Sequence, residues 1–280
     1  MSTTTTTSSN PLLNHFRQPA IHLRLPSGGN NWPTGSLNMP ETGELPIYPM
    51  TAKDELVLKT PDALMNGDGV VSVIQSCIPS IKNAWLIPVC DLDTILIAIR
   101  LTSYGNEMEI SSLCPKCKET NENIVDLGQL LDQVPPPLYP DMTHGDLIIK
   151  FKPQSFQSLN AINQAKFEQQ SLLRTISSSE ISDEQKQAEF KKLLPKITEL
   201  TVQALIDGIE SINADGTVVS NVTHIREFID NCDRKTYEAM KSQVEKIGKT
   251  NKTQDLEIEC AECKEKYKTE LTFENSNFFV

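Results

Sequence analysis

Two segments of the chain alternate apolar and polar residues on either side of a cysteine pair. In the first, Glu107-Met108-Glu109-Ile110 leads to Cys114-Pro115-Lys116-Cys117, and Ile124-Val125-Asp126-Leu127 follows. In the second, Asp255-Leu256-Glu257-Ile258-Glu259 leads to Cys260-Ala261-Glu262-Cys263, and Tyr267-Lys268-Thr269-Glu270-Leu271-Thr272-Phe273 follows. A period of two is the spacing of side chains on one face of a strand, so each segment predicts strand, cysteine knuckle, strand. The two read as copies of one hairpin, and both leave the knuckle as Cys-Lys-Glu.

Elsewhere the spacing is mostly helical. Thr60 as N-cap and Pro61 in the first turn predict a helix start, broken by Gly67-Asp68-Gly69. Val70 to Ile78 predicts a second helix before Pro79. A third opens at Asp91 or Asp93, carries Leu92, Ile95, Leu96 and Ile99, and stops at Gly105. Asp91 and Asp93 have the residue type for acid–base work. At a helix start, however, an aspartate ordinarily caps free N–H groups and meets the dipole. Pro135 to Pro140 predicts a stiff extended connector, and Leu147 to Phe151 a strand. From Ser155 to about Gly248 the pattern predicts helices only. One runs from Ser155 through Leu173, and a second from Ser182 to Ile209 with a kink at Pro195. After a tight turn at Asn213-Ala214-Asp215-Gly216 come a short helix capped by Thr223 and another from Asp233 to Lys249.

These elements predict an α+β fold: a small zinc-ribbon-like β-hairpin module plus helices, with a large all-helical insertion between the two CxxC knuckles. Four parts follow. Residues 1–46 form an extended or disordered N-terminal arm, and 47–150 a helical and zinc-hairpin core with the first knuckle. Residues 151–250 are the helical insertion, and 251–280 the second zinc hairpin and C-terminal tail. The Thr/Ser run at 2–9 cannot bury enough apolar surface to fold alone. Ile21-His22-Leu23-Arg24-Leu25 alternates and could add as a strand to something else, so an ordered arm is expected to lie on a partner. The apolar end Asn277-Phe278-Phe279-Val280 is suited to docking on its own chain or another.

Composition narrows the function classes. Hydrophobic residues make up 38% of the 280, enough for a sizeable core. With 26 Lys and Arg against 37 Asp and Glu, the net charge is −11, which opposes binding to a phosphate backbone. The polar start Met1-Ser2-Thr3-Thr4 lacks the apolar region of a secretory signal. The most apolar stretch, Ala84 to Leu101, is interrupted by Pro88, Asp91, Asp93 and Arg100, so no membrane span is expected.

The cysteines carry the candidate chemistry. Two CxxC pairs complete a closed Cys₄ site, so Cys114, Cys117, Cys260 and Cys263 are the expected ligands of one structural Zn²⁺, with Zn–S bonds near ~2.3 Å. The pairs are separated by residues 118–259, 142 positions, so a shared metal would close an unusually long loop. A permanent cross-link over such a span is worth roughly 4–5 kcal/mol in the chain-entropy treatment of covalent links, and ligand bonds add to that. Two redox pairs or disulfides are the competing readings, but no βαβ unit surrounds either CxxC. Cys77, Cys90 and Cys232 read as small buried hydrophobes.

No catalytic constellation is expected. His15, His22, His144 (in a turn) and His224 (at a helix start) are scattered. No nucleophile elbow, dinucleotide fingerprint, P-loop, HExxH or EF-hand loop occurs. A metal-dependent hydrolase would need an open coordination position, which four thiolates do not leave.

A family resemblance enters on the run Tyr48-Pro49-Met50-Thr51-Ala52-Lys53-Asp54-Glu55, then Thr60-Pro61-Asp62-Ala63-Leu64-Met65-Asn66-Gly67 and Ser76-Cys77-Ile78-Pro79. It continues through Asp91-Leu92-Asp93-Thr94-Ile95-Leu96-Ile97-Ala98-Ile99-Arg100 and Tyr104-Gly105-Asn106-Glu107-Met108 to the first CxxC. This run resembles the tail baseplate hub proteins of T4-like contractile bacteriophages. The likeness is specific over about 47–127; the helical block and second CxxC look like a more variable continuation, and 1–46 is not matched. It implies a structural or assembly protein of the baseplate hub, bound to other hub or tail proteins and possible as a homo-oligomer within a symmetric tail. Its expected place is the virion tail baseplate, or the host cytoplasm for a transient assembly chaperone. A zinc-ribbon nucleic-acid binder is the alternative, favoured by Lys116, Lys118, Lys264, Lys266 and Lys268 at the knuckles. Against it, Glu119, Glu122, Glu259, Glu262 and Glu265 interleave with those lysines, so no nucleic acid is expected.

Overall fold

The computed structural model describes residues 10, 12, 15–60, 67–178, 195, 198–251 and 256–269. The described part builds two hydrophobic cores, and the cysteine hairpins project from the first. The fold is mixed helix and sheet.

The first core is organised by one buried helix. Strand β1 (Ile21–Leu23) pairs antiparallel with β2 (Leu45–Ile47), matching Ile21 to Ile47 and Leu23 to Leu45. Helix α1 (Ala52–Leu58) starts in a capping box between Thr51 and Asp54, and α2 (Asp68–Cys77) follows. A 3₁₀ turn (Ala84–Leu86) then leads to α3 (Val89–Tyr104). The α3 run Ile95-Leu96-Ile97-Ala98-Ile99 is buried on every side, which makes it the central helix. It ends at Gly105, whose φ of 96° a β-carbon would strain.

Two expectations change here. Residues 1–46 were to be an arm with no core of its own, yet Leu23, Leu25 and Leu45 are buried in this core. Arg17 donates to the carbonyls of Pro49 (2.6 Å) and Ser76 (2.7 Å) and to Ser76 Oγ (2.9 Å). The apolar face of 21–25 finds its cover in the chain's own β2 and α3, across a loop too long for local pattern to register. Helix α3 also opens at Val89 with Pro88 as N-cap, ahead of both aspartates. Asp91 instead faces the loop at 27–32, accepting from Ser27 N–H (2.9 Å), Ser27 Oγ (2.5 Å) and Trp32 Nε1 (2.7 Å).

From the end of α3 the chain forms hairpin β3 (Glu107–Leu113) and β4 (Thr120–Asp126), in register from Glu107 opposite Asp126 to Leu113 opposite Thr120. Asp126 then caps the short α4 (Leu127–Asp132) by accepting from Gln129 N–H. The matching hairpin near the other end pairs β9 (Leu256–Glu259) with β10 (Lys266–Thr269).

Between the hairpins lies the second core, and it is not all-helical. Strands β5 (Met142–His144), β6 (Leu147–Phe151), β7 (Ile209–Ala214) and β8 (Thr217–Val219) form an antiparallel sheet in that order. Helix α5 (Phe156–Ser178), a helical stretch at 198–207, α6 (Val222–Asn231) and α7 (Arg234–Thr250) accompany it. Leu205, Ile209 and Ile212 also satisfy helical spacing, which is why the pattern hid β7; the helix stops at Gly208 and the chain turns into strand. The turn at Asp215-Gly216 is present, with φ of 51° and 83°, but it joins two strands, as a two-residue type I′ turn does. His144 ends β5 rather than sitting in the turn, and Asn221, not Thr223, caps α6. The helix expected from Asp233 to Lys249 is α7, with Asp233 as its N-cap. The helix start from Pro61 on, most of the helix from Ser182 including the residues on both sides of Pro195, and the segment Asn277 to Val280 lie outside the described residues.

The two cores meet at the start of α5. Phe156 N–H donates to Ile87 O (2.8 Å), Val89 N–H to Gln154 O (2.9 Å), and the Phe156 ring stacks on Trp85 at 5.4 Å. Among the described residues no helix is long and apolar enough to cross a membrane.

Candidate metal centre

Each knuckle is a tight turn closed by two backbone hydrogen bonds. In the first, Cys114 N–H donates to Glu119 O (2.9 Å) and Lys118 N–H to Cys114 O (3.0 Å). In the second, Cys260 N–H donates to Glu265 O (2.9 Å) and Lys264 N–H to Cys260 O (3.0 Å). The lysine after each second cysteine is left-handed, with φ of 63° at Lys118 and 56° at Lys264. That conformation is costly for a residue with a β-carbon. Its presence at the same place in both knuckles shows one geometry built twice.

The turns bring all four sulfurs together. Cys114, Cys117, Cys260 and Cys263 place their Sγ atoms within 4.8 Å of one another, although the pairs are 142 residues apart. Cys114 to Cys263 and Cys117 to Cys260 are both 3.6 Å. Four sulfurs around a tetrahedral ion with bonds of about 2.3 Å would sit about 3.8 Å apart, so the cluster has the size for one ion. A disulfide at about 2.05 Å is much shorter than either contact. Cys114 and Cys260 are buried, Cys263 is half-buried and Cys117 is exposed. This set of four cysteines can hold a metal ion.

The electrostatics are uneven in a way a cation would level. The Cys263 backbone N–H, the first of several donors, holds the Cys260 thiol down to about 6. The Cys117 backbone N–H likewise lowers the Cys114 thiol below its ordinary range. Cys117 goes the other way: against the pull of the Glu119 backbone N–H, desolvation and the other three sulfurs push it up to about 12. Cys263 is also raised: against the pull of the Glu265 backbone N–H, desolvation and its contacts with Cys114 and Cys260 disfavour its thiolate. A bound cation favours the thiolate form of all four.

The hairpins also touch through groups that sequence reasoning did not find. Asn121 Oδ1 accepts from Ala261 N–H (2.8 Å), and Ser112 Oγ lies 2.6 Å from the Tyr267 hydroxyl. Lys116 pairs with Glu265 at 2.9 Å in the open, where such a bridge contributes little. These partners lie 140 to 155 residues apart, so no local signal marks them. Cys77, Cys90 and Cys232 do not join the cluster, and burial pushes the thiols of Cys77 and Cys90 up to about 12. None of the four histidines joins it either.

The chain is thus a two-core α+β protein whose two hairpins meet at four cysteines able to hold a metal ion. The family model described as T4 bacteriophage base plate protein matches residues 19–280, which is 262 of the 280. The chain belongs to that family, and its role is a structural one in the phage baseplate. The match takes in the second CxxC and all but the first eighteen residues, so the likeness reaches well beyond 47–127 and includes most of the supposed arm. No curated protein and no solved structure matches the chain.

Proposed function

We propose that this chain is a component of the hub of a contractile tail baseplate, acting by binding other tail proteins, with Cys114, Cys117, Cys260 and Cys263 holding a structural Zn²⁺. The observation that carries the metal reading is the convergence of four sulfurs within 4.8 Å from two knuckles of identical hydrogen bonding. An all-thiolate donor set suits zinc and leaves no open coordination position, so the ion clamps rather than reacts. The clamp sits where the chain leaves the first core for the second and where it returns, so it fixes both ends of the intervening segment. Elemental analysis of the purified full-length chain should give one zinc per chain, and none in a variant with both Cys260→Ser and Cys263→Ser. Equal zinc in the two would remove the site from consideration.

For the hub role, mass spectrometry of purified virions should find this chain, and mild disruption should release it with other baseplate proteins. Its presence only in assembling tails would make it a transient assembly factor; its absence from both would sink the reading. Nucleic-acid binding is disfavoured because the knuckle lysines face acids: Lys116 pairs with Glu265, Lys266 approaches Glu259 to 4.0 Å and Lys268 approaches Glu257 to 3.9 Å.

A further inference from the structure

The same four sulfurs are arranged for a reaction between the hairpins. Both 3.6 Å sulfur contacts cross from one hairpin to the other, Cys114 to Cys263 and Cys117 to Cys260. Each contact joins a buried sulfur to one that solvent reaches: Cys114 with half-buried Cys263, and Cys260 with exposed Cys117. The knuckle backbones are held by their own hydrogen bonds, so each turn moves as a unit. Closing a contact to a disulfide takes an approach of about 1.6 Å, a shift of hairpin tips rather than a refolding.

We propose that these two pairs are an oxidative cross-linking site, at which a peroxide-class oxidant joins the hairpins through Cys114–Cys263 and Cys117–Cys260 disulfides. One sulfur of a pair attacks a peroxide oxygen, the O–O bond breaks, and a sulfenic acid and one water result. Its partner sulfur across the hairpins then attacks the sulfenic sulfur, forming the S–S bond and releasing the hydroxyl with the partner's proton as a second water. Each bond removes two electrons from two thiols and reduces one hydrogen peroxide to two waters; both pairs react alike. A baseplate protein is made inside a cell and carried in a particle outside it, where thiols meet oxidising conditions. There the hairpin junction becomes covalent instead of failing. The inference rests on sulfur positions and not on the zinc reading.

The test treats the native full-length chain with hydrogen peroxide, with and without a chelator, then blocks remaining thiols and maps disulfides by mass spectrometry. Trypsin cuts after Lys116 and a glutamate-specific protease after Glu262, so every one of the four sulfurs falls on its own peptide. Expected are linked peptides for Cys117 with Cys260 and Cys114 with Cys263, lost on reduction, from a band that stays monomeric. Cys117→Ser should keep the Cys114–Cys263 link and leave Cys260 unlinked. Links within a CxxC, a covalent dimer, or sulfinic acids without disulfide would each overturn the proposal. Zinc content of the untreated sample is a separate readout, so loss of the metal reading leaves this result interpretable.

Discussion

Hairpins β3–β4 and β9–β10 make the same turn on unequal supports. The first has seven-residue strands, buries Met108 and Val125 in the first core, and runs straight into α4, where Leu127 and Leu130 are buried. The second has four-residue strands, and its described contact with that core is the partly buried Leu256. What places it is mostly at its tip: the sulfurs, Asn121 to Ala261, and Ser112 to Tyr267. An identical local geometry can therefore be stable by packing in one copy and by attachment in the other. Perturbations should separate the two supports.

The largest separation is expected from Cys260→Ser. It removes the sulfur 3.6 Å from Cys117 and one of four ligands, so zinc binding should be lost and β9–β10 should detach. Loop closure over a span of this length is worth about 5 kcal/mol in the chain-entropy treatment of covalent links, which sets the scale of the destabilisation. Hydrogen exchange should show protection disappearing across Leu256–Thr269 while Glu107–Asp126 stays protected. Equal loss in both hairpins would mean the first also depends on the tip, and the contrast fails.

Met108→Ala attacks the other support. Truncating a buried methionine costs about 2–5 kcal/mol, and here the loss falls on the first core itself, where Met108 is 6% exposed. The denaturation midpoint should drop for the whole chain, with zinc content unchanged. If exchange speeds up only in the hairpin, the root is not part of the core's cooperative unit.

Asp91→Asn sharpens the comparison by weakening the first core away from either hairpin. Asp91 is fully buried and accepts three hydrogen bonds, so placing an amide N–H₂ against those donors should cost about 1–3 kcal/mol. Its pH signature has a definite sign. Burial raises the Asp91 carboxyl above its ordinary 3.8, outweighing the Ser27 and Trp32 donors, so the folded chain binds this proton more tightly than the unfolded chain. Its contribution is fully present below pH 3.8 and is lost as pH rises through the raised value. Asp91→Asn should flatten that part of the stability curve. An unchanged slope would reject the assignment, and selective loss of β9–β10 protection would tie the second hairpin to the core after all.

These contrasts also explain which parts of the molecule the sequence disclosed. The hairpins were readable because period-two alternation and CxxC spacing are local signals, and the cluster of four sulfurs followed from the spacing alone. β7 was hidden because Ile209 and Ile212 continue the helical spacing of Leu205, and only their pairing with β6 makes them strand. The alternation of Ile21 to Leu25 showed an apolar face, but its partners at Leu45–Ile47 and on α3 come from distant sequence. Asp91 looked like a helix cap because its donors, Ser27 and Trp32, lie 64 and 59 residues away. Periodicity reveals which face is apolar; only the folded chain reveals what covers it.

The finest test lies at Tyr267, which belongs to the second hairpin and reaches the first. Its hydroxyl is 2.6 Å from Ser112 Oγ, and Ser112 is buried at 8% exposure on the inward face of β3. Tyr267→Phe removes this tie while keeping the ring, at a cost of about 0.5–1.5 kcal/mol. Ser112→Ala removes the same bond from the other side. If the bond serves attachment, both changes should loosen β9–β10 in hydrogen exchange and leave β3–β4 alone, and the double variant should cost less than the sum of the two singles. Strict additivity would show that the two hydroxyls are satisfied separately. In that case the second hairpin hangs on its sulfurs and Asn121, and the Cys260→Ser effect should be the same in a Tyr267→Phe background.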